Sequence, residues 1–337
     1  MKILKYIILL SVVFGACQNK DTSFPDYKYN AVYFPFQYPI RTLILGDSRS
    51  DNSLDKKHQF NIGVNIGGMY VNKKSWDVNF MVDESLVPSN LKNTDGISIK
   101  VLPASYYTLS PVNKAVIPSG SFSGLINVQL TDAFFTDPLA VTGTYVIPLV
   151  ITSSSADSVL TGVPEVPNPN RNVATDWNAN ALPKDYTLFG IKFINAYHGT
   201  YLHRGKDVTL DNLGAPVSTV VYHQQYVEKD QLWKLTTSGK NTVLTDGIGS
   251  KFTSSTKLLL DFAADGNIIV KPGTGSTIQG NGTGKYVENA ETWDGTKHHA
   301  MYLNYTYKDG AINHAVTDTL VFRDNGVVFE EFKVQIN

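Results

Sequence analysis

Residues 59–67 read QFNIGVNIG. Phe60, Ile62, Val64 and Ile66 are separated by Asn61, Gly63 and Asn65. That alternation has a period of two, so successive side chains fall on opposite faces of an extended strand. The pattern recurs outward from there. In WDVNFMV, Trp76, Val78, Phe80 and Val82 share one row, and in LINVQL, Ile126, Val128 and Leu130 share another. Sustained helical periodicity is absent, which predicts an all-β chain whose N-terminal half is a β-sandwich. TYVIPLVIT (144–152) carries Pro148, which has no N–H for a ladder, and this predicts an edge strand or a bulge there.

From Ser158 to Pro183 the alternation dissolves into SVLTGVPEVPNPNRNVATDWNANALP, rich in Pro, Asn and Gly. Such a composition marks a domain boundary. The expected organisation is a first domain over 26–158, a linker over 159–185 and a second domain over 186–337. Strands return in the second half, and Asp265-Gly266 and Asp309-Gly310 mark hairpin turns. Roughly eight to ten short strands fit an up-and-down barrel better than a second sandwich, because closure removes exposed edges.

The N-terminus sets an expectation about location. Lys2 and Lys5 precede an apolar run from Tyr6 to Phe14, and Gly15 and Ala16 stand directly before Cys17, the one cysteine of the chain. The run is too short to span a bilayer and has the layout of a secretory signal. Small residues followed by Cys resemble a bacterial lipobox, with Phe14 where that motif has an aliphatic residue. The expectation is a signal peptide over 1–16, an acylated Cys17 and a tether over 17–25. A single cysteine permits no intramolecular disulfide. Lys and Arg number 29 against 30 Asp and Glu in 337 residues, so no basic field is available for nucleic acid or anionic lipid. A membrane contact through the lipid anchor alone is expected.

Catalytic constellations were sought and none is complete. LLLDFAADGN supplies Asp261 and Asp265 without a proton-donating partner, and the two read as flanking a hairpin. In GSFSG (120–124) Phe122 holds the place that a nucleophile elbow gives to serine. GNGTGKY (280–286) is one residue short of a phosphate loop and ends in Tyr286, so it reads as a Gly-rich turn. His198 and His203 are separated by an odd number of residues and His298 and His299 are adjacent, so in strands each pair diverges and chelates no common metal. Neither a metal nor a cofactor is expected, and the chain reads as non-catalytic.

Aromatic side chains are the remaining chemistry, because a sugar ring stacks its CH face on Trp or Tyr while polar groups reach its hydroxyls. Trp76 and Trp233 alternate with apolar residues and read as core, and Trp177 reads as pinning the linker. Trp293 lies in AETWDGTKHH, polar on both sides, with Asp294-Gly295 marking a turn. It is the leading candidate for contact with a glycan, on a loop tip near a barrel mouth. Tyr222, Gln224 and Tyr226, read as one face of a strand, form a second candidate group.

Several stretches in order, NIGVNIGGMYVNKKSWDVNFMVDESLV, LPASYYTLS, IPSGSFSGLINVQLTDAFFTDPLA, YVIPLVITSSSADSVLTG, PKDYTLFGIKFINAYHGTYLHRGKD and VTDTLVFRDNGVVFEEF, resemble two-domain surface lipoproteins of Bacteroidota glycan-utilisation loci. The resemblance spans nearly the whole chain after Cys17. It implies an immunoglobulin-like sandwich, of the kind that also precedes some family-18 endo-glycosidases, followed by a lipocalin-like barrel. It also implies outer-membrane anchorage at Cys17 and capture of an oligosaccharide or polysaccharide beside an outer-membrane glycan transporter complex. The alternative is a structural or adhesive surface protein that binds another protein.

Overall fold

The computed structural model describes residues 26–251 and 255–336, so the signal-like segment, the tether and Cys17 lie outside the described residues. Two sheets face each other in the first domain. One has the strand order Ser158–Val159 (β11), Ala31–Tyr33 (β1), Gln59–Gly67 (β3), Ser123–Leu130 (β9) and Tyr107–Ser110 (β7). The other runs Glu330–Glu331 (β22), Pro39–Ile44 (β2), Tyr186–Ile194 (β12), Tyr145–Ser154 (β10), Trp76–Val82 (β4) and Lys114–Ile117 (β8), with Lys100–Val101 (β6) attached to β10. The rows read from the sequence meet between the sheets: Phe60, Ile62, Val64 and Ile66 pack with Trp76, Val78 and Phe80 and with Ile126, Val128 and Leu130.

Pro148 corrects one expectation. Its strand β10 is internal, flanked by β12 and β4. The missing N–H faces the side where Leu102 N donates to Val146 O and Asp83 N donates to Pro148 O. β6 leaves that side at Val101 and β4 joins it at Leu149, so the proline falls in the seam between two partial strands. The apolar run of β10 follows from burial on both faces. One face belongs to the core between the sheets. The other is covered by Leu86, Leu91 and Phe332, together with a ribbon of Leu91–Asn93 (β5) and Val334–Ile336 (β23).

The boundary also differs from the expected one. Residues 159–185 are laid back on the sandwich. Arg171 pairs with Asp185 at 2.7 Å, Asn172 donates to Leu86 O at 2.8 Å, and buried Trp177 donates to Asn170 O at 2.9 Å. β12, expected in the barrel, then runs parallel to β2 and antiparallel to β10. After the barrel the chain comes back as β22 and β23, which pair with β2 and β5. The barrel is therefore inserted into the sandwich domain, entered after Ile194 and left after Asp324.

The barrel strands are Gly199–Leu210 (β13), Gln231–Gly239 (β15), Thr242–Thr245 (β16), Leu258–Phe262 (β17), Asn267–Pro272 (β18), Gln279–Trp293 (β19), Thr296–Asp309 (β20) and Ile312–Asp324 (β21). Each pairs antiparallel with the next, and β21 returns to β13 to close eight strands. β15 pairs with the start of β13, and Pro216–Tyr222 (β14) pairs with its end. Asp265-Gly266 and Asp309-Gly310 lie at the β17–β18 and β20–β21 hairpins, as read. GNGTGKY is not a turn. Its glycines face inward on β19, where Gly280, Gly282 and Gly284 stand opposite Tyr307, Tyr305 and Leu303. A Cβ on Gly284 would lie 2.6 Å from Leu303 Cδ2, so the missing side chains make room for the large ones across the ladder.

Candidate functional site

The loop after β2 forms one wall of a cleft between the domains. Its sequence, GDSRSDNS (46–53), is polar, yet the loop is pinned at its base. Asn52 Nδ2 donates to the carbonyls of Ile44 and Gly46 at 2.9 and 2.8 Å. Buried Asp55 accepts the Ile44 N–H at 2.9 Å and pairs with Arg41. Gly46 meets the start of the barrel, where a Cβ would lie 2.8 Å from Ala196 Cα, so only glycine permits this approach. The opposite wall comes from the β19–β20 hairpin, the end of β21 and residues 325–329. Asn325 Nδ2 donates to Asp47 O at 3.1 Å and ties the two walls together. The cleft between them encloses about 1410 Å³.

Its floor is the barrel mouth, closed by aromatic rings. Tyr197 stacks on Phe262 at 3.6 Å and meets Tyr286 edge-on at 5.1 Å. His299 stacks on Phe322 at 4.3 Å and lies 5.2 Å from Tyr286. Beneath them, the Tyr201 hydroxyl is 3.2 Å from His299 Nε2. Half-buried Tyr286 and Phe322, with His299, line the cleft from below. Phe329 enters from the side, 65% exposed and 5.2 Å from Phe36. Behind it a smaller apolar pocket of about 270 Å³ opens among Phe34, Phe36, Ile62 and Phe189.

Charges around the cleft are mixed. Five basic side chains (Arg41, Arg49, Lys56, Lys297, Arg323) share the walls with four carboxylates (Asp47, Glu288, Asp294, Asp324). His299 Nδ1 lies 3.5 Å from Asp47 Oδ2. Burial holds the His299 imidazole down to about 4, although the Asp47 carboxylate pulls it the other way, so the ring is neutral at pH 7.

Trp293 lies on the cleft wall, at a hairpin whose turn residues Asp294 and Gly295 have φ of 51° and 70°. The turn expected at that pair is present. The indole is less open than its polar neighbours suggest. Its N–H donates to Phe322 O at 3.1 Å, His298 stacks on its face at 4.6 Å, and it packs against Leu202, Ala300 and Val321 on the outside of the barrel. It therefore braces the wall as well as lining it.

The second candidate group lies elsewhere. β14 ends at Tyr222, so Tyr222, Gln224 and Tyr226 do not share a strand face as read, and none of them lines the cleft. Tyr222 donates to Asp318, which also accepts from Tyr305 at 2.6 Å and lies 3.0 Å from His203 Nε2. Gln224 joins the loop through its backbone, donating to Asp230 Oδ1 at 2.6 Å. Tyr226 is exposed under Lys229 Nζ, 5.4 Å from its ring centre. A companion set inside the barrel has Asp207 accepting from Tyr307 at 2.6 Å, with His314 Nδ1 at 2.8 Å. Burial, and then the neighbouring carboxylates, push the phenols of Tyr222, Tyr305 and Tyr307 well above their ordinary range, so they remain donors that strut the barrel. The adjacent pair separates as predicted, His299 inward and His298 outward on Trp293. Among the described residues no group of three or more His, Asp or Glu converges to hold a metal ion.

Sequence reasoning missed Tyr286, Phe322 and Phe329. The first two sit on inward rows and carry a core signature; only their position beside the barrel mouth sets them apart. Phe329 follows Val327 and Val328 in an apolar triplet that gave no sign of exposure.

An inserted barrel on a sandwich, with a cleft at their junction, defines a class of two-domain β-proteins. The family of the domain of unknown function DUF5627 matches residues 196–326, which is the barrel, and a family described as an N-terminal domain matches residues 27–158. A solved structure of unknown function from Bacteroides ovatus is 36% identical, with a TM-score of 0.83 over 93% of this chain and 100% of that one. The chain belongs to that family of two-domain proteins with a DUF5627 barrel. A multidomain protein including DUF1735 from Bacteroides ovatus is 14% identical over 89% of this chain and 97% of its own, with a TM-score of 0.44. Another Bacteroides ovatus protein of unknown function is also 14% identical, over 90% and 92%, at 0.44. No curated protein matches the chain.

Proposed function

We propose that this protein is a non-catalytic lipoprotein of the outer membrane, anchored through Cys17, that captures a glycan in the interdomain cleft for delivery to a transporter complex. The cleft carries the reading. Tyr286, Phe322 and Phe329 offer ring faces to the apolar side of a pyranose, and the mixed charges around them offer donors and acceptors to its hydroxyls. Balanced charge suits a neutral chain of sugars over a polyanion. The sandwich contributes to the proposed site, because its 45–50 loop builds one wall.

The test is a glycan array screen of the chain from residue 18 on, followed by calorimetry and product analysis on any glycan selected. Binding without release of shorter sugars is the expected result. Release of shorter sugars would overturn the non-catalytic part, and silence across neutral glycans would overturn capture. Incorporation of labelled fatty acid into the full chain but not into Cys17→Ala tests the anchor.

A further inference from the structure

β14 breaks the usual rules for a strand at the edge of a sheet. Its seven residues, PVSTVVY, pair with β13 along one side, and along the other they meet no strand among the described residues. Every residue but Tyr222 is exposed, with Val217 at 66%, Val220 at 50% and Val221 at 59%. Edge strands in natural proteins are blunted by lysine, inward charges, proline or a covering segment. β14 has no charged residue, and its proline is at the first position, where it leaves the later donors open. β-Branched residues fill four of its seven positions, a composition that favours pairing. The strand is also held ready. β13 is paired along its other side with β21, and Tyr222 is tied to Asp318.

We infer that β14 pairs antiparallel with β14 of a second copy of this chain, about a two-fold axis through Thr219. In that register Val217 of one copy faces Val221 of the other, and Ser218 faces Val220. The strand is thus its own complement, with valine against valine and no like charges opposed. A strongly charged partner strand would find nothing on β14 to answer it, whereas a second copy presents the same neutral row. Pairing satisfies the open N–H and C=O groups of both edges and joins two barrels into one continuous sheet. The contact lies on the barrel wall, away from the cleft, and does not depend on what the cleft binds.

Thr219 supplies the test, because its side chain is exposed and the axis sets it against itself. Sedimentation equilibrium of the chain from residue 18 on should show a monomer–dimer equilibrium. Thr219→Lys and Thr219→Glu should each weaken the dimer by about tenfold or more, since like charges directly opposite destabilise a strand pair. An equal mixture of the two variants should recover a heterodimer, and at concentrations where all are monomeric the variants should melt with wild type. A wild-type monomer at all concentrations overturns the inference. So does a dimer indifferent to both charges, or one weakened by them that mixing fails to restore.

Discussion

Phe329 and Trp293 divide two tasks that one aromatic residue often combines. Phe329 is 65% exposed, with its ring 5.2 Å from that of Phe36, so its removal opens no core. Under the proposed function, Phe329→Ala should weaken binding of the selected glycan five- to thirty-fold, about 1 to 2 kcal/mol, with little change in melting temperature. Trp293 is bonded to Phe322 O and packed on Leu202, Ala300 and Val321. Trp293→Ala should cost on the order of 2 kcal/mol of stability, which a urea titration reads directly. Histidine gives a prediction in pH. His299 and His198 are both held down to about 4, chiefly by burial, from an ordinary 6.5. Above pH 6.5 neither the folded nor the unfolded chain protonates them. Between 6.5 and 4 the unfolded chain takes up protons that the folded one refuses, so stability falls as pH falls and levels off below 4. Urea midpoints at pH 7 and pH 4.5 should show the drop, and His299→Leu should reduce it.

β19 shows what an element needs beyond its hydropathy pattern. A Cβ on Gly282 would overlap Asn304 O and Tyr305 Cα, so Gly282→Ala should destabilise the barrel by on the order of 3 kcal/mol. The melting temperature of that variant should fall steeply, while Gly67→Ala, whose Cβ would meet Tyr33 only at an ordinary 3.6 Å, should lose much less. Glycine carries no signal of facing in or out, which is why this stretch reads as a turn although it is a strand. The rows of β3, β4 and β9 were legible because each has one buried face and one wet face, the condition under which alternation appears. β10 has two buried faces, so its run of apolar residues shows no alternation, and the role of Pro148 depended on two partner strands that no local pattern reveals. The residues of the cleft were legible only at Trp293. Tyr286 and Phe322 obey the inward row of their strands, and their exposure depends on where the barrel ends.

At the scale of the whole molecule, the segment after Asp324 has two duties. Its Phe329 walls the cleft, while Glu330 bonds Lys192 Nζ at 2.6 Å and Phe332 packs with Leu91, Tyr186 and Leu188. Ending the chain after Gly326 should leave the barrel strands complete but lower the melting temperature of the sandwich, and scanning calorimetry should separate the two transitions. The cleft's composition was hidden from sequence because its walls come from residues 40–56 and 286–329, which only the inserted topology brings together. That topology has a mechanical consequence. A domain strung on one linker swivels freely, but this barrel is fastened where the chain enters, between Ile194 and Gly199, and again where it leaves, after Asp324. Two fastenings mean that a cut in either connection alone leaves the barrel joined to the sandwich through the other.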